Sequence, residues 1–159
     1  MGCSRCGACC TKFWVCLTPF DIIRISEATG KKPYEFVDLV EDTVGDRERK
    51  EPTVKINGKK SLLILATRKN NVCMFYKKGC TVYENRPFLC RTYPFKLKKG
   101  KLISTESRVC PDDWFPEDKE EYERDCREYD KQVKLYKKIA KKWKDGSLQE
   151  FLEFSRPFL

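Results

Sequence analysis

Cys3-Ser4-Arg5-Cys6-Gly7-Ala8-Cys9-Cys10 is the stretch on which the fold turns. Four of the chain's ten cysteines fall in this one turn-length segment. Thiols three residues apart on a tight turn can converge on one centre, and Gly7 and Ala8 keep such a turn uncrowded. Three cysteines at this spacing, with a distant Cys followed by Pro, belong to the cluster-binding motifs of bacterial ferredoxins. Here Cys110-Pro111 is the remote Cys-Pro pair. The same spacing serves a structural zinc site. The pattern points to metal and leaves the choice of metal open.

The surrounding chain narrows the chemistry. It has 159 residues, 33 Lys+Arg, 24 Asp+Glu and no His, for a formal charge of +9. That length suits one compact unit with a modest core. Its longest apolar runs, Phe13 to Leu17 and Leu62 to Ala66, are five residues each; a membrane span needs about 20. No membrane partner is expected. Without histidine, a Ser/His/Asp triad, a Cys–His pair and a His proton switch are excluded. A transition-metal site must lean on thiolate sulfur. The N-terminus has no basic stretch followed by an apolar core, so no signal peptide is expected. Gly2-Cys3 hints at lipidation, but Cys6 stands where that pattern wants Ser or Thr. The expected compartment is the cytoplasm, where cysteine frameworks bind metal more often than they form disulfides.

A second constellation runs Cys73, Cys80-Thr81-Val82-Tyr83-Glu84-Asn85-Arg86-Pro87-Phe88-Leu89-Cys90-Arg91-Thr92-Tyr93-Pro94. Taken with the first block and the late Cys110, it resembles the cysteine-cluster family of the YkgJ type, whose members carry a zinc- or iron-chelating domain. The resemblance spans roughly residues 3 to 111. It implies ligands at Cys3, Cys6, Cys9, Cys10, Cys73, Cys80 and Cys90, with Cys110 joining them. Flagellin lysine N-methylases are similar in the cysteine blocks. That likeness implies a protein lysine N-methyltransferase as a third-ranked reading, although the sequence has no Gly-x-Gly nucleotide loop after a strand.

Cys16 and Cys126 lie outside the pattern and read as small core hydrophobes. The remaining eight divide into two four-thiolate sites, Cys3, Cys6 and Cys9 with Cys110, and Cys10 with Cys73, Cys80 and Cys90. Cys9 and Cys10 are separated on the ground that adjacent side chains diverge, most fully in extended chain. Aromatic residues crowd the cysteines, as core and as a shell that excludes water. Arg86 reads as a structural ion pair, with thiolates and backbone carbonyls as its other possible partners.

Thr18-Pro19-Phe20-Asp21 opens a helix with Ile22, Ile23 and Ile25 inward and Gly30 as its stop. A short helix is predicted from Tyr34 to Asp42. Asn57-Gly58 and Lys99-Gly100 each sit between β-prone runs and predict hairpins. From Pro116 the period changes: Tyr122, Cys126, Tyr129, Val133, Tyr136, Ala140 and Trp143 form one helical stripe. Gly146 is its predicted end, and Ser147 with Glu150 opens a last helix as a capping box. The expected fold is α+β, a small metal-organised cysteine-rich domain over 1–116 with short hairpins. A C-terminal helical extension over 117–159 packs on it.

Two thiolate centres of charge −2 each would lower the net charge to about +5. Much of the rest lies in the long helix, with seven Lys and no acid from 131 to 144. Acids before and bases after suit the helix dipole, so a solvated helix is the favoured reading and nucleic acid the sharper alternative. The functional expectation is an iron–sulfur protein, with 4Fe-4S centres, serving electron transfer or assisting a redox or modification enzyme as its partner. The alternative is a zinc-organised module binding RNA or protein.

Overall fold

A computed structural model describes residues 3–42 and 49–159. The cysteine turn leads into a single helical turn, α1 (Ala8–Lys12). Helix α2 (Pro19–Thr29) follows with the expected capping box: the Asp21 amide donates to the Thr18 hydroxyl at 3.1 Å, and the Thr18 amide donates to the Asp21 carboxylate at 3.1 Å. Gly30 closes it at φ 71°, a conformation a side chain would resist.

The predicted helix from Tyr34 to Asp42 is corrected. A 3-10 turn at Pro33–Glu35 gives way to strand β1 (Val37–Glu41). Val37 lies opposite Leu65 on strand β3, so a partner distant in sequence overrides the local pattern. Strands β2 (Val54–Ile56) and β3 (Lys59–Leu65) form the expected hairpin, and the sheet order is β1-β3-β2, antiparallel throughout. Asn57 and Gly58 both take positive φ, 49° and 82°, as a turn matched to strand twist requires. A second helical turn, α3 (Phe88–Thr92), precedes the other expected hairpin, β4 (Phe95–Lys98) with β5 (Lys101–Ser104).

Helix α4 (Lys119–Lys142) carries the predicted stripe, with Cys126, Tyr129, Val133, Tyr136 and Ile139 buried. It ends before Gly146, at Trp143. The Trp143 indole donates to the Lys55 carbonyl at 2.8 Å, and the Asn57 amide donates to the Gly146 carbonyl at 2.9 Å. The helix stops where the β2–β3 turn captures the chain. Helix α5 (Leu148–Ser155) starts at the expected Ser147–Glu150 box.

The architecture is α+β. The larger core joins Leu17, Ile22 and Ile25 to Phe36, Leu63, Tyr136 and Phe151. Residues of α4 and α5 thus share one core with the N-terminal helix and the sheet. A smaller cluster joins Phe95, Leu102 and Cys126 beneath Trp114 and Tyr122. Among the described residues, no helix is long and apolar enough to cross a membrane.

Candidate metal centre

Backbone and side-chain contacts bring the cysteine blocks together. The Cys73 amide donates to the Cys10 carbonyl at 2.8 Å, tying the first block to the second. The chain then doubles back so that Tyr76 bridges to Cys80. The fully buried Asp21 reaches across to the Phe88 amide at 3.2 Å, fixing the start of the turn that carries Cys90. Cys110 is steadied through Tyr93, whose hydroxyl donates to the Ser107 carbonyl at 2.9 Å and accepts from the Val109 amide at 2.7 Å. Arg108 wraps the same loop, donating to the Asp112 and Trp114 carbonyls, each at 3.0 Å.

All eight predicted cysteines line one cavity of about 510 Å³. Cys3 and Cys6 are exposed, Cys73 is buried, and the other five are half-buried. The N-terminal turn is therefore the mouth of the cavity. None of the cysteines is in a disulfide. Among the described residues, no three Cys, Asp or Glu side chains are gathered to clasp a single ion. The thiols stand around a shared space.

The expected separation of Cys9 and Cys10 into different centres rests on extended backbone, which the chain does not adopt here. Both lie on α1, where successive side chains point about 100° apart and not to opposite sides. The Cys10 thiol hydrogen-bonds the Cys9 sulfur, which lowers the Cys9 pKa to about 7 and pushes Cys10 up. Burial pushes Cys73, Cys80 and Cys90 up, and the neighbouring Cys9 adds to the rise at each. Cys9, Cys10, Cys73, Cys80 and Cys90 are thus close enough to influence one another's charge.

The donor set fits a thiophilic metal. Eight sulfurs share one space, the chain has no imidazole to compete, and the walls include Tyr93, Phe95 and Trp114. Gly7, at φ 76°, lies so close to Tyr76 that any side chain would overlap the phenol. The turn of the first block is thereby seated on the second. Arg86 makes no ion pair among the described residues. It donates to the Tyr83 carbonyl at 2.5 Å and stacks on the Tyr83 ring, the carbonyl-capping role weighed from sequence.

Cys16 and Cys126 also border the cavity. Cys16 bridges to Ile64, and Cys126 packs with Phe95 and Leu102. Burial raises the Cys126 pKa to about 11 from 9.0. A raised thiol pKa favours the folded state below the unfolded value, and that contribution is lost as pH rises through the folded one. Stability should therefore fall between pH 9 and 11, and Cys126→Ala should flatten that fall while keeping full metal content. Thermal denaturation across this range, with metal analysis of the variant, checks both outcomes. Loss of metal would instead make Cys126 a ligand.

These features define a cysteine-rich metal-binding domain. The CxxCxxCC family, described as a zinc- or iron-chelating domain, matches residues 2–111, and the chain belongs to it. Neither a curated protein nor a solved structure matches the chain. The family match ends before Trp114, Tyr122, Cys126 and Tyr129, which complete the cavity wall. The sequence had marked three of these only as helix stripe; their membership of the site follows from α4 packing on α3 and β4.

Proposed function

We propose that this chain is a cytoplasmic iron–sulfur protein that transfers electrons to, or assists, a redox or modification enzyme. The observation that carries the reading is one cavity of about 510 Å³ lined by all ten cysteines, the eight expected ligands among them. A lone zinc ion needs four sulfurs about 2.3 Å from one point. The ferredoxin-like spacing of Cys3, Cys6 and Cys9, the remote Cys110-Pro111 and the absence of His favour an iron–sulfur centre.

Cys3, Cys6, Cys9, Cys10, Cys73, Cys80, Cys90 and Cys110 would supply the thiolates, enough for two four-thiolate centres in one cavity. When bound, an iron–sulfur centre supplies one-electron transfer. The chain's own residues do the rest. Phe95 and Trp114 exclude water from the inner wall, in edge-to-face contact with ring centres 5.0 Å apart. The exposed Cys3 and Cys6 leave the N-terminal turn as the side nearest a partner.

The zinc-organised binding module is the second reading. It draws on the exposed Lys134, Lys137, Lys138 and Lys141, which have no acidic partner among the described residues. Metal and sulfide analysis of protein purified without oxygen separates the two readings, and its outcomes close the Discussion.

A further inference from the structure

Arg5 and Arg86 come from different cysteine blocks and meet at one aromatic ring. The Arg5 guanidinium carbon lies 3.8 Å from the centre of the Tyr83 ring, and that of Arg86 lies 3.7 Å from the same centre. Two guanidinium groups at stacking distance from one ring cannot share a face, because they would overlap. They sandwich it.

Both arms of the sandwich are held by the backbone of the site. Arg5 sits at φ 56°, in the left-handed region that a non-glycine residue adopts only under strain. Its amide donates to the Cys3 sulfur at 3.4 Å. On the other side, the Arg86 carbonyl accepts from Arg24 at 3.0 Å and from Arg91 at 3.3 Å. Among the described residues no carboxylate pairs with Arg5 or Arg86. Yet both line the cavity that the eight cysteines line. Two cations without a protein counter-charge face a set of sulfurs that becomes anionic when it binds metal: a four-thiolate zinc or oxidised four-iron centre carries −2.

We propose that the Arg5–Tyr83–Arg86 sandwich is a cationic clamp. It ties the Cys3–Cys9 turn to the Cys80–Cys90 segment and offsets the thiolate charge of the centre. This inference rests on reading the cavity as a metal centre. Both arginines are positioning residues that act on the centre through Tyr83 and through their charge. A cation beside a centre favours its more negative state, so removing the cation lowers the reduction potential.

The test uses full-length protein purified without oxygen, as wild type and as Arg5→Gln, Arg86→Gln, Arg86→Lys, Tyr83→Phe and Tyr83→Leu. Metal release to excess EDTA is followed for each, with circular dichroism to confirm folding and redox titration where iron is present. Arg5→Gln and Arg86→Gln should each release metal about tenfold faster, which converts to about 1.4 kcal/mol, the scale of a cation–π contact. Their iron should titrate at a lower potential. Tyr83→Phe keeps the ring and should match wild type, whereas Tyr83→Leu should release as fast as the Gln variants. Arg86→Lys keeps the charge and should hold its potential near wild type while releasing metal faster, because the planar stack is lost. Release rates and potentials within twofold and within error of wild type in both Gln variants overturn the clamp. Release is read on whichever metal is bound, so a zinc-loaded wild type refutes the iron reading while the release comparison still judges the clamp.

Discussion

Asp21→Ala is expected to cost about 3–5 kcal/mol of folding stability, the range for breaking a buried, hydrogen-bonded charge pair. Asp21 is fully buried. Its carboxylate accepts from the Thr18 amide at 3.1 Å, the Thr18 hydroxyl at 2.9 Å, Arg24 at 2.8 Å and the Phe88 amide at 3.2 Å. Two of these bonds cap α2; the other two reach toward the Cys90 segment. Removing the carboxylate leaves the Phe88 amide without its acceptor. It also leaves Arg24 bonded to the Arg86 carbonyl, near two other guanidinium groups, without its carboxylate partner. Asp21→Asn keeps an acceptor oxygen and should cost less. Urea denaturation of both variants measures the difference. A loss below about 1 kcal/mol for the Ala variant would mean that the cap is only local and does not hold the second cysteine block.

Gly7→Ala should strip metal from the protein. At φ 76° a side chain is strained, by about 1 kcal/mol. The added methyl would also overlap the Tyr76 phenol, so either the ring or the cysteine turn must move. Overpacking of this kind costs about 1–3 kcal/mol. Both movements separate the first cysteine block from the second. Metal per chain should fall by more than half, with a matching drop in melting temperature. Adding Tyr76→Leu makes room and should recover part of the metal, while leaving the cost of the backbone. Full metal content in Gly7→Ala alone would show that the contact with Tyr76 does not seat the turn.

What the sequence made legible was local. Thr18 and Asp21 are three residues apart, as are Ser147 and Glu150, so both helix starts could be read from neighbouring residues alone. Asn57-Gly58 and Lys99-Gly100 supply positive φ within a two-residue turn, and both hairpins followed. The features that escaped need partners from elsewhere in the chain. Val37–Glu41 becomes a strand through Ser61–Leu65. Trp143 ends α4 because the Lys55 carbonyl draws its indole. That Cys9 and Cys10 sit on a helical turn and not in extended chain needed α1, which is too short to leave a periodic signal. Arg5 meets Tyr83 only once the two cysteine blocks are folded together, and no spacing rule joins them. The cysteine spacing singled out eight residues, whereas all ten cysteines share the cavity, and the way their sulfurs group depends on backbone that the spacing leaves undefined.

The most direct test of the account is the metal itself. Protein purified without oxygen should contain iron and acid-labile sulfide in stoichiometric amounts. It should be brown, absorb broadly near about 400 nm and bleach on reduction, as thiolate-bound clusters do. Stoichiometric zinc, with neither iron nor sulfide, would contradict the iron–sulfur reading and leave the chain a zinc-organised domain.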